Sequence, residues 1–314
     1  MKRLVPTLLL VLVCIVGFWY VSEKDLLKSG AAGETEAKVL MEIKGDDVSG
    51  IAIHTKTDDI VLAKKDQAWS MSKPEAYPLN SYGAENWASS FALLTYESIV
   101  DEAPSDLAPY GLTEPVSTFT ATLADGTVHK LLVGKPLPIS GTTYVLVEGD
   151  PKVYEVSDTS LQSLESSTLS FVNTQAIDSV YNNVTAVHLT WKGESWTLTK
   201  SEPAKMAYES KWKVDDKELT AEKGSAVLDK LTTLYAEALP TPAEKADISS
   251  PELTITVTEE KDGKTTDSVF HGKFKEEQLT LLKEGGAWAY PLKESDVQSL
   301  YDFGKTAADS SETK

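Results

Sequence analysis

Cysteine is almost absent from this chain. Cys14 is the only one in 314 residues, and it lies within an apolar N-terminal run. The rest of the chain therefore holds no disulfide, no thiolate metal site and no cysteine nucleophile, and its cores must close by packing alone. Histidine is nearly as scarce: His54, His129, His188 and His271 are far apart, and no two have metal-ligand spacing. His54 and His188 alternate with apolar neighbours and are expected to face solvent. Basic charge is in deficit, with 30 Lys and Arg against 48 Asp and Glu and a formal net charge of -18. That balance repels polyphosphates and argues against nucleic acid as a partner. There is also no His-Glu-x-x-His pair, EF-hand loop, P-loop or nucleophile elbow, so no metal or cofactor is expected.

What is present begins at the N-terminus. Lys2 and Arg3, in a short cytoplasmic tip (1–3), precede an uncharged run, Leu4–Val21, that as a helix would span roughly 27 Å, just enough to cross a bilayer. Trp19 and Tyr20 stand where an interfacial aromatic belt is expected, and the positive flank predicts an inside N-terminus with everything beyond outside the cytoplasm. Two alternatives stay open. One is a signal peptide cleaved near Gly30-Ala31-Ala32; the other is lipidation of Cys14, opposed by the bulky Val13 before it. Residues 22–47 are polar and read as a juxtamembrane spacer.

The length allows two domains, and an internal repeat supplies them: residues 48–173 align with 184–306 at an offset near 136. Val48-Ser-Gly-Ile-Ala-Ile matches Val184-Thr-Ala-Val-His-Leu, each alternating as a half-buried strand does. Tryptophan strands follow, at Ala68–Met71 and Lys211–Val214. Helical stripes come next, Trp87, Phe91 and Leu94 against Val227, Leu228, Leu231, Leu234 and Tyr235. Asp125-Gly126 and Asp262-Gly263 predict hairpin turns. Each copy ends in a short helix, Asp158–Leu164 and Glu294–Leu300, with Asp158 and Ser295 as candidate N-caps. The expected order β-β-α-β-β-β-β-α has short connections, hence mainly antiparallel sheets and an α+β fold. Residues 174–183 form a linker and 307–314 a polar tail. By count the first copy carries 7 Lys/Arg against 16 Asp/Glu and the second 16 against 22.

Several motifs carry a resemblance. Tyr110-Gly111-Leu112 with Pro115, then Asp125-Gly126, Val133-Gly134-Lys135, the loop with Pro136 and Pro138, and Gly141 to Tyr144 and Val145 resemble the bacterial domain-of-unknown-function 4340 family. The likeness covers 48–173 well and 184–306 weakly, because Ala246-Asp247-Ile248 replaces Tyr-Gly-Leu and the loop after Lys273 is shorter. The resemblance implies a membrane-anchored protein outside the cytoplasm, associated with an ABC-type export system and its membrane subunits; it supplies no catalytic residues.

The residues themselves point to binding and leave rivals open. The stretch Gly134–Tyr144 reads as an eleven-residue loop longer than its two strands need, which makes Gly134, Lys135, Pro136, Pro138, Gly141 and Tyr144 a candidate interaction loop. Tyr110, Gly111, Leu112 and Pro115 read as a structural turn, with Leu112 buried. Acidic pairs such as Asp58-Asp59, Asp101-Glu102 and Asp215-Asp216 are too common here to signal catalysis by themselves. Trp69, Trp87, Trp191, Trp196, Trp212 and Trp288 read first as core, with a sugar-binding platform as the alternative. The expected function is a non-catalytic accessory or binding protein on the membrane surface. Its rivals are an extracytoplasmic hydrolase of cell-wall polymers and a solute-binding receptor.

Overall fold

Alternation of apolar and polar residues builds two antiparallel sheets in sequence order. The computed structural model describes residues 38–309 apart from Ile139 and Glu277. The run Leu4–Val21, Cys14 and the tail beyond 309 lie outside the described residues. Among the described residues no helix is long and apolar enough to cross a membrane.

The first sheet uses β1 (Val48–His54), β2 (Asp59–Lys65), β3 (Ala68–Lys73), β4 (Ser98–Asp101), β5 (Ser117–Leu123), β6 (Val128–Pro136), β7 (Thr142–Val147) and β8 (Val153–Ser157). Their order across the sheet is β3-β2-β1-β5-β6-β7-β8-β4. Helix α1 (Gly83–Ala92) follows β3, and the short α2 (Asp158–Gln162) and α3 (Thr168–Phe171) follow β8. The second sheet uses β9 (Val184–Trp191), β10 (Glu194–Lys200), β11 (Trp212–Val214), β12 (Lys217–Leu219), β13 (Thr241–Pro242), β14 (Leu253–Lys261), β15 (Lys264–Lys275), β16 (Gln278–Lys283) and β17 (Trp288–Lys293). Its order is β12-β11-β10-β9-β14-β15-β16-β17-β13, the same path with β12 added at one edge. Helix α4 (Ala221–Thr232) follows β12, and α5 (Glu294–Asp309) follows β17.

Each sheet therefore has three or more strands before its first helix, where the sequence pattern indicated two. The missed strands have physical excuses. In β2, Ile60 and Leu62 point inward, but Val61 and Ala63 between them blur the alternation. β4 and β13 are short edge pieces recruited by pairing with β8 and β17. The sheet registers pair Ile51 with Leu62 and Leu62 with Met71, just as Val187 pairs with Leu198 and Leu198 with Val214. Trp69 and Trp212 consequently hold matching places.

Helix α1 buries Trp87 and Phe91, whose rings stack at 5.1 Å, and the Trp87 indole N–H donates to the Leu164 carbonyl at 3.0 Å. Val227, Leu228 and Leu231 of α4 are fully buried, but Tyr235, expected on the same stripe, lies beyond the helix end and is 50% exposed. The spacer is shorter than expected. Leu40 N donates to the Leu94 carbonyl at 2.7 Å and Met41 is buried in the first core, so this part of it belongs to the first unit. Two N-cap expectations fail. Asp158 is the first helical residue, with Ser157 before it, and its carboxylate accepts from Thr143 Oγ1 at 2.7 Å. Ser295 sits inside α5, which begins at Glu294 and runs well past Leu300.

The second core relies on glycines set against tryptophans. Trp191, Trp196 and Trp212 are essentially fully buried. A methyl group at Gly224 of α4 would overlap the Trp212 ring, and one at Gly304 of α5 would crowd Trp196. Glycine costs a helix about 1 kcal/mol relative to alanine, so its place in α4 is explained by this close approach. Gly224→Ala is expected to destabilise the protein by about 1–3 kcal/mol despite its better helix propensity. Thermal unfolding followed by near-ultraviolet circular dichroism checks this, and an unchanged or raised Tm would refute it.

Candidate functional site

The motif residues near 110 and near 134 are distant in sequence and meet on the outer face of the first sheet, opposite α1. Pro109 sits in a 3-10 turn, Ala108–Tyr110, that ends at Gly111 with φ +72°. The Gly111 amide donates to the Ala108 carbonyl at 3.1 Å and the Leu112 amide to the Leu107 carbonyl at 3.2 Å. A left-handed residue is needed at this reversal, and glycine takes it without steric cost. The turn drops Leu112 onto Leu146 and Val153, with Leu107, Tyr110, Leu132 and Tyr144 around them. Pro115 then leads into β5, where the Val116 amide donates to the Val133 carbonyl at 2.8 Å.

Gly134 is the receiving surface. Any side chain there would overlap the Tyr110 carbonyl, and a Cβ on Gly111 would lie 2.6 Å from Lys135 Cγ. The β6–β7 register slips between Val133 and Pro136, so an extra residue is accommodated as a bulge. Tyr110 meets Tyr144 edge-on at 5.2 Å and donates its hydroxyl to Asp101 at 2.8 Å. That bond, with burial and the Asp101 charge, pushes the Tyr110 phenol above its usual range.

The expected eleven-residue loop is instead a hairpin connected by residues 137–141. Gly134, Lys135 and Pro136 belong to β6 and Tyr144 to β7. Pairing continues past Pro136 because it lies opposite Thr143 at the strand end, where a missing N–H is tolerated, and the Leu137 amide still reaches the Thr142 carbonyl at 2.7 Å. Pro138 and Gly141 lie in the connection, with Gly141 at φ +66°. Lys135, Pro136, Pro138 and Gly141 are exposed, and Tyr144 is half-buried.

Beneath the hairpin runs a row of hydroxyls that sequence reasoning missed. Glu155 on β8 accepts from Thr142 Oγ1 at 2.5 Å and Ser98 Oγ at 2.8 Å, and Ser140 is hydrogen-bonded to Thr142. The Thr142 and Ser98 bonds, in that order, outweigh desolvation and hold the Glu155 carboxyl below the ordinary glutamate range. Only the alternation of Thr142 with the strand could have hinted at this row, since Ser98 and Glu155 are distant in sequence. These groups pin the hairpin to β8 and β4, and they suit docking better than bond-making.

The second unit has a polar counterpart. Lys273 contacts Asp247 at 2.5 Å and Ser249 at 3.0 Å, and the lysine, then the serine, hold the Asp247 carboxyl well below the usual range. Ile248, aligned with Leu112, is only half-buried. The β15–β16 connection is reduced to residues 276–277. Elsewhere, His54 and His188 face solvent as expected. Among the described residues no group of three or more His, Cys, Asp or Glu is placed to hold a metal. Asp58 is occupied: burial raises its carboxyl, but hydrogen bonds from Thr57 and from Thr168 outweigh that and lower it. Trp87, Trp191, Trp196 and Trp212 are core residues, whereas Trp69 and Trp288 are half-buried.

The motif-built turn thus sits on an antiparallel sheet backed by helices, which makes the fold α+β. The chain belongs to the family described as a domain of unknown function, DUF4340, whose model matches residues 69–251. The match begins in β3 and runs past β13, crossing from one sheet to the other, so it does not itself mark out two copies. No curated protein and no solved structure matches the chain.

Two outcomes follow from the geometry. Gly134→Ala is expected to dislodge the 108–112 turn and cost about 1–3 kcal/mol, read from chemical denaturation; wild-type stability would show that the close approach is not required. Glu155 has a lowered folded pKa, so its contribution is complete above the unfolded value of about 4.3 and is lost as pH falls through the folded value. The protection factors of the Thr142 and Thr143 amides, corrected for intrinsic exchange, should fall in that acid window, and Glu155→Gln should flatten the dependence. A pH response identical in the variant would remove Glu155 as its source.

Proposed function

We propose that this protein is a membrane-anchored, extracytoplasmic accessory subunit that works by binding and not by catalysis. The observation that carries this reading is the use of the motif residues. Tyr110, Gly111, Leu112 and Gly134 are consumed in packing, which leaves a pinned hairpin with Lys135, Pro136, Pro138 and Gly141 at its surface. A protruding, pre-ordered strand connection limits the entropy lost on docking. The anchor in this reading is Leu4–Val21, with the N-terminus inside. The common strand order of the two sheets supports two divergent copies of one unit at 48–173 and 184–306. The partner in this reading is the membrane-subunit assembly of an ABC-type export system, contacted through the first unit, whose hairpin is the longer.

In-cell crosslinking tests it. A photoreactive residue at Pro136, exposed at the end of β6 and outside the connection, is expected to capture transporter membrane subunits, and cutting 137–141 to a two-residue turn like that of β15–β16 should abolish capture while leaving the fold intact. Failure to capture any membrane subunit would overturn the reading. So would hydrolysis of a wall fragment by the purified protein that disappears with one carboxylate substitution.

A further inference from the structure

The two units are stitched together along the segment that joins them, and the seam is left partly open. Asn173 N donates to the Pro78 carbonyl at 2.8 Å, and the Ala176 amide donates to the Leu234 carbonyl at 2.9 Å. Tyr77 of the first unit lies against Trp288 of the second with ring centres 5.0 Å apart, and Lys245 reaches Glu75 at 3.4 Å. Between these contacts is a cavity of about 210 Å³ walled by Pro78, Asn173, Asp178, Lys283, Trp288 and Tyr290.

The chemistry of the wall narrows what fits. Asp178 and Lys283 pair at 3.0 Å, so the two charges cancel and the cavity offers no net attraction to an ion. Three donors have no hydrogen-bond partner among the described residues: the Tyr290 hydroxyl, the Trp288 indole N–H and the side-chain amide of Asn173. The carbonyl oxygen of that amide is already taken by the Gln175 backbone N–H at 3.1 Å. Burial first, and then the Asp178 charge, push the Tyr290 phenol above its usual range, so it remains a neutral donor at physiological pH. Pockets for drug-sized ligands run from roughly 300 to 1,000 Å³, so this one suits a single ring. Half-buried aromatic side chains beside unused donors match a molecule with apolar C–H faces and a rim of hydroxyl acceptors.

We propose that the seam binds one neutral pyranose ring, either a free monosaccharide or the terminal unit of a glycan. The ring lies beside Trp288 and Tyr290, and its hydroxyl oxygens accept from Tyr290, Trp288 and Asn173. This goes beyond the accessory-subunit reading and does not depend on it, since the cavity is built by Pro78, the linker, the end of β16, β17 and the turn before it, and none of its lining residues belongs to the 137–141 hairpin. Because the cavity spans both units, an occupant would also restrain their relative movement.

Saturation-transfer NMR on the full chain, held in a detergent without a sugar headgroup, tests it. The probes are the methyl glycosides of glucose, galactose and N-acetylglucosamine, with the corresponding disaccharides as a second arm that separates free sugar from glycan ends. At least one probe is expected to receive saturation on its ring protons. Trp288→Phe and Tyr290→Phe, which keep an aromatic ring and remove one donor each, should each weaken binding by about fivefold. Trp69→Phe, outside the cavity, should leave it unchanged. Ala287→Arg, at an exposed position on the rim, should block binding without touching the core. Absence of saturation transfer to every probe overturns the proposal, and so does binding that survives both phenylalanine variants and Ala287→Arg.

Discussion

Each sheet is held together at its centre by a pairing between strands far apart in the chain. In the first, β1 meets β5, setting Ile51 opposite Ala121 and Ile53 opposite Phe119; in the second, β9 meets β14, setting Val187 opposite Val257 and Leu189 opposite Ile255. On either side of this ladder the strands are local: β1 to β3 and β5 to β8 are joined to their neighbours mainly by short turns. Without it the first unit would be two separate meanders, each exposing an apolar face. The loop-closure entropy of bringing β5 back to β1 must be met before that burial rewards it. Helix α1 lies over the junction, with Trp87 facing Phe119 at 6.5 Å, so the inserted segment helps secure the ladder it interrupts. Both ladders carry a register slip near the start of their first strand, at Val48/Gly50 and at Thr258/Glu259 opposite Val184.

The ladder leaves the far strands free to differ. In β7, Val145 and Val147 face the main core while Leu146 joins the second, smaller cluster under Leu112. A strand buried on both faces reads as a continuous apolar run, which explains Tyr144-Val-Leu-Val. The second unit lacks that cover: Thr280 stands opposite Pro291 in the corresponding hairpin, and Asp247 and Lys273 replace the apolar turn with an ion pair. An exposed pair of this kind adds little stability. The outer face of the first unit is therefore the more firmly built of the two, and it lies on the unit with the greater proportional excess of acidic residues.

Much of the scaffold was legible because its signals are local. Alternation marked Val48–Ile53 and Leu253–Val257, positive φ at Gly126, Asp262 and Gly263 agrees with the turn dipeptides, and the helical stripe through Trp87 and Phe91 points inward. What escaped depends on distant partners. Gly134 looks like a loop glycine until the Tyr110 carbonyl is placed against it. Tyr235 continues the spacing of α4, yet the helix has ended, and the chain turns to bridge Gln175. Ser98, Thr142 and Glu155 come from three strands whose adjacency only the sheet order defines.

Tryptophan gives a mixed message for the same physical reason. Six of them recur in or near expected strands and helices, and spacing alone cannot separate a ring that fills a core from one that lines a surface. The answer lies in what approaches each ring. Glycines at 224 and 304 allow helices to close over Trp212 and Trp196, whereas Trp69 and Trp288 meet no such cover. Trp69 is tied to its own unit, its indole donating to Glu85 at 2.9 Å beside Lys64. Trp288 instead leans on Tyr77 across the unit boundary and keeps its N–H unengaged among the described residues. A half-buried ring satisfied within its own unit can be a matter of stability alone, but one held at a seam beside other unused donors has room for a ligand. That difference arises from the docking of the two units, at a distance no local pattern in either could encode.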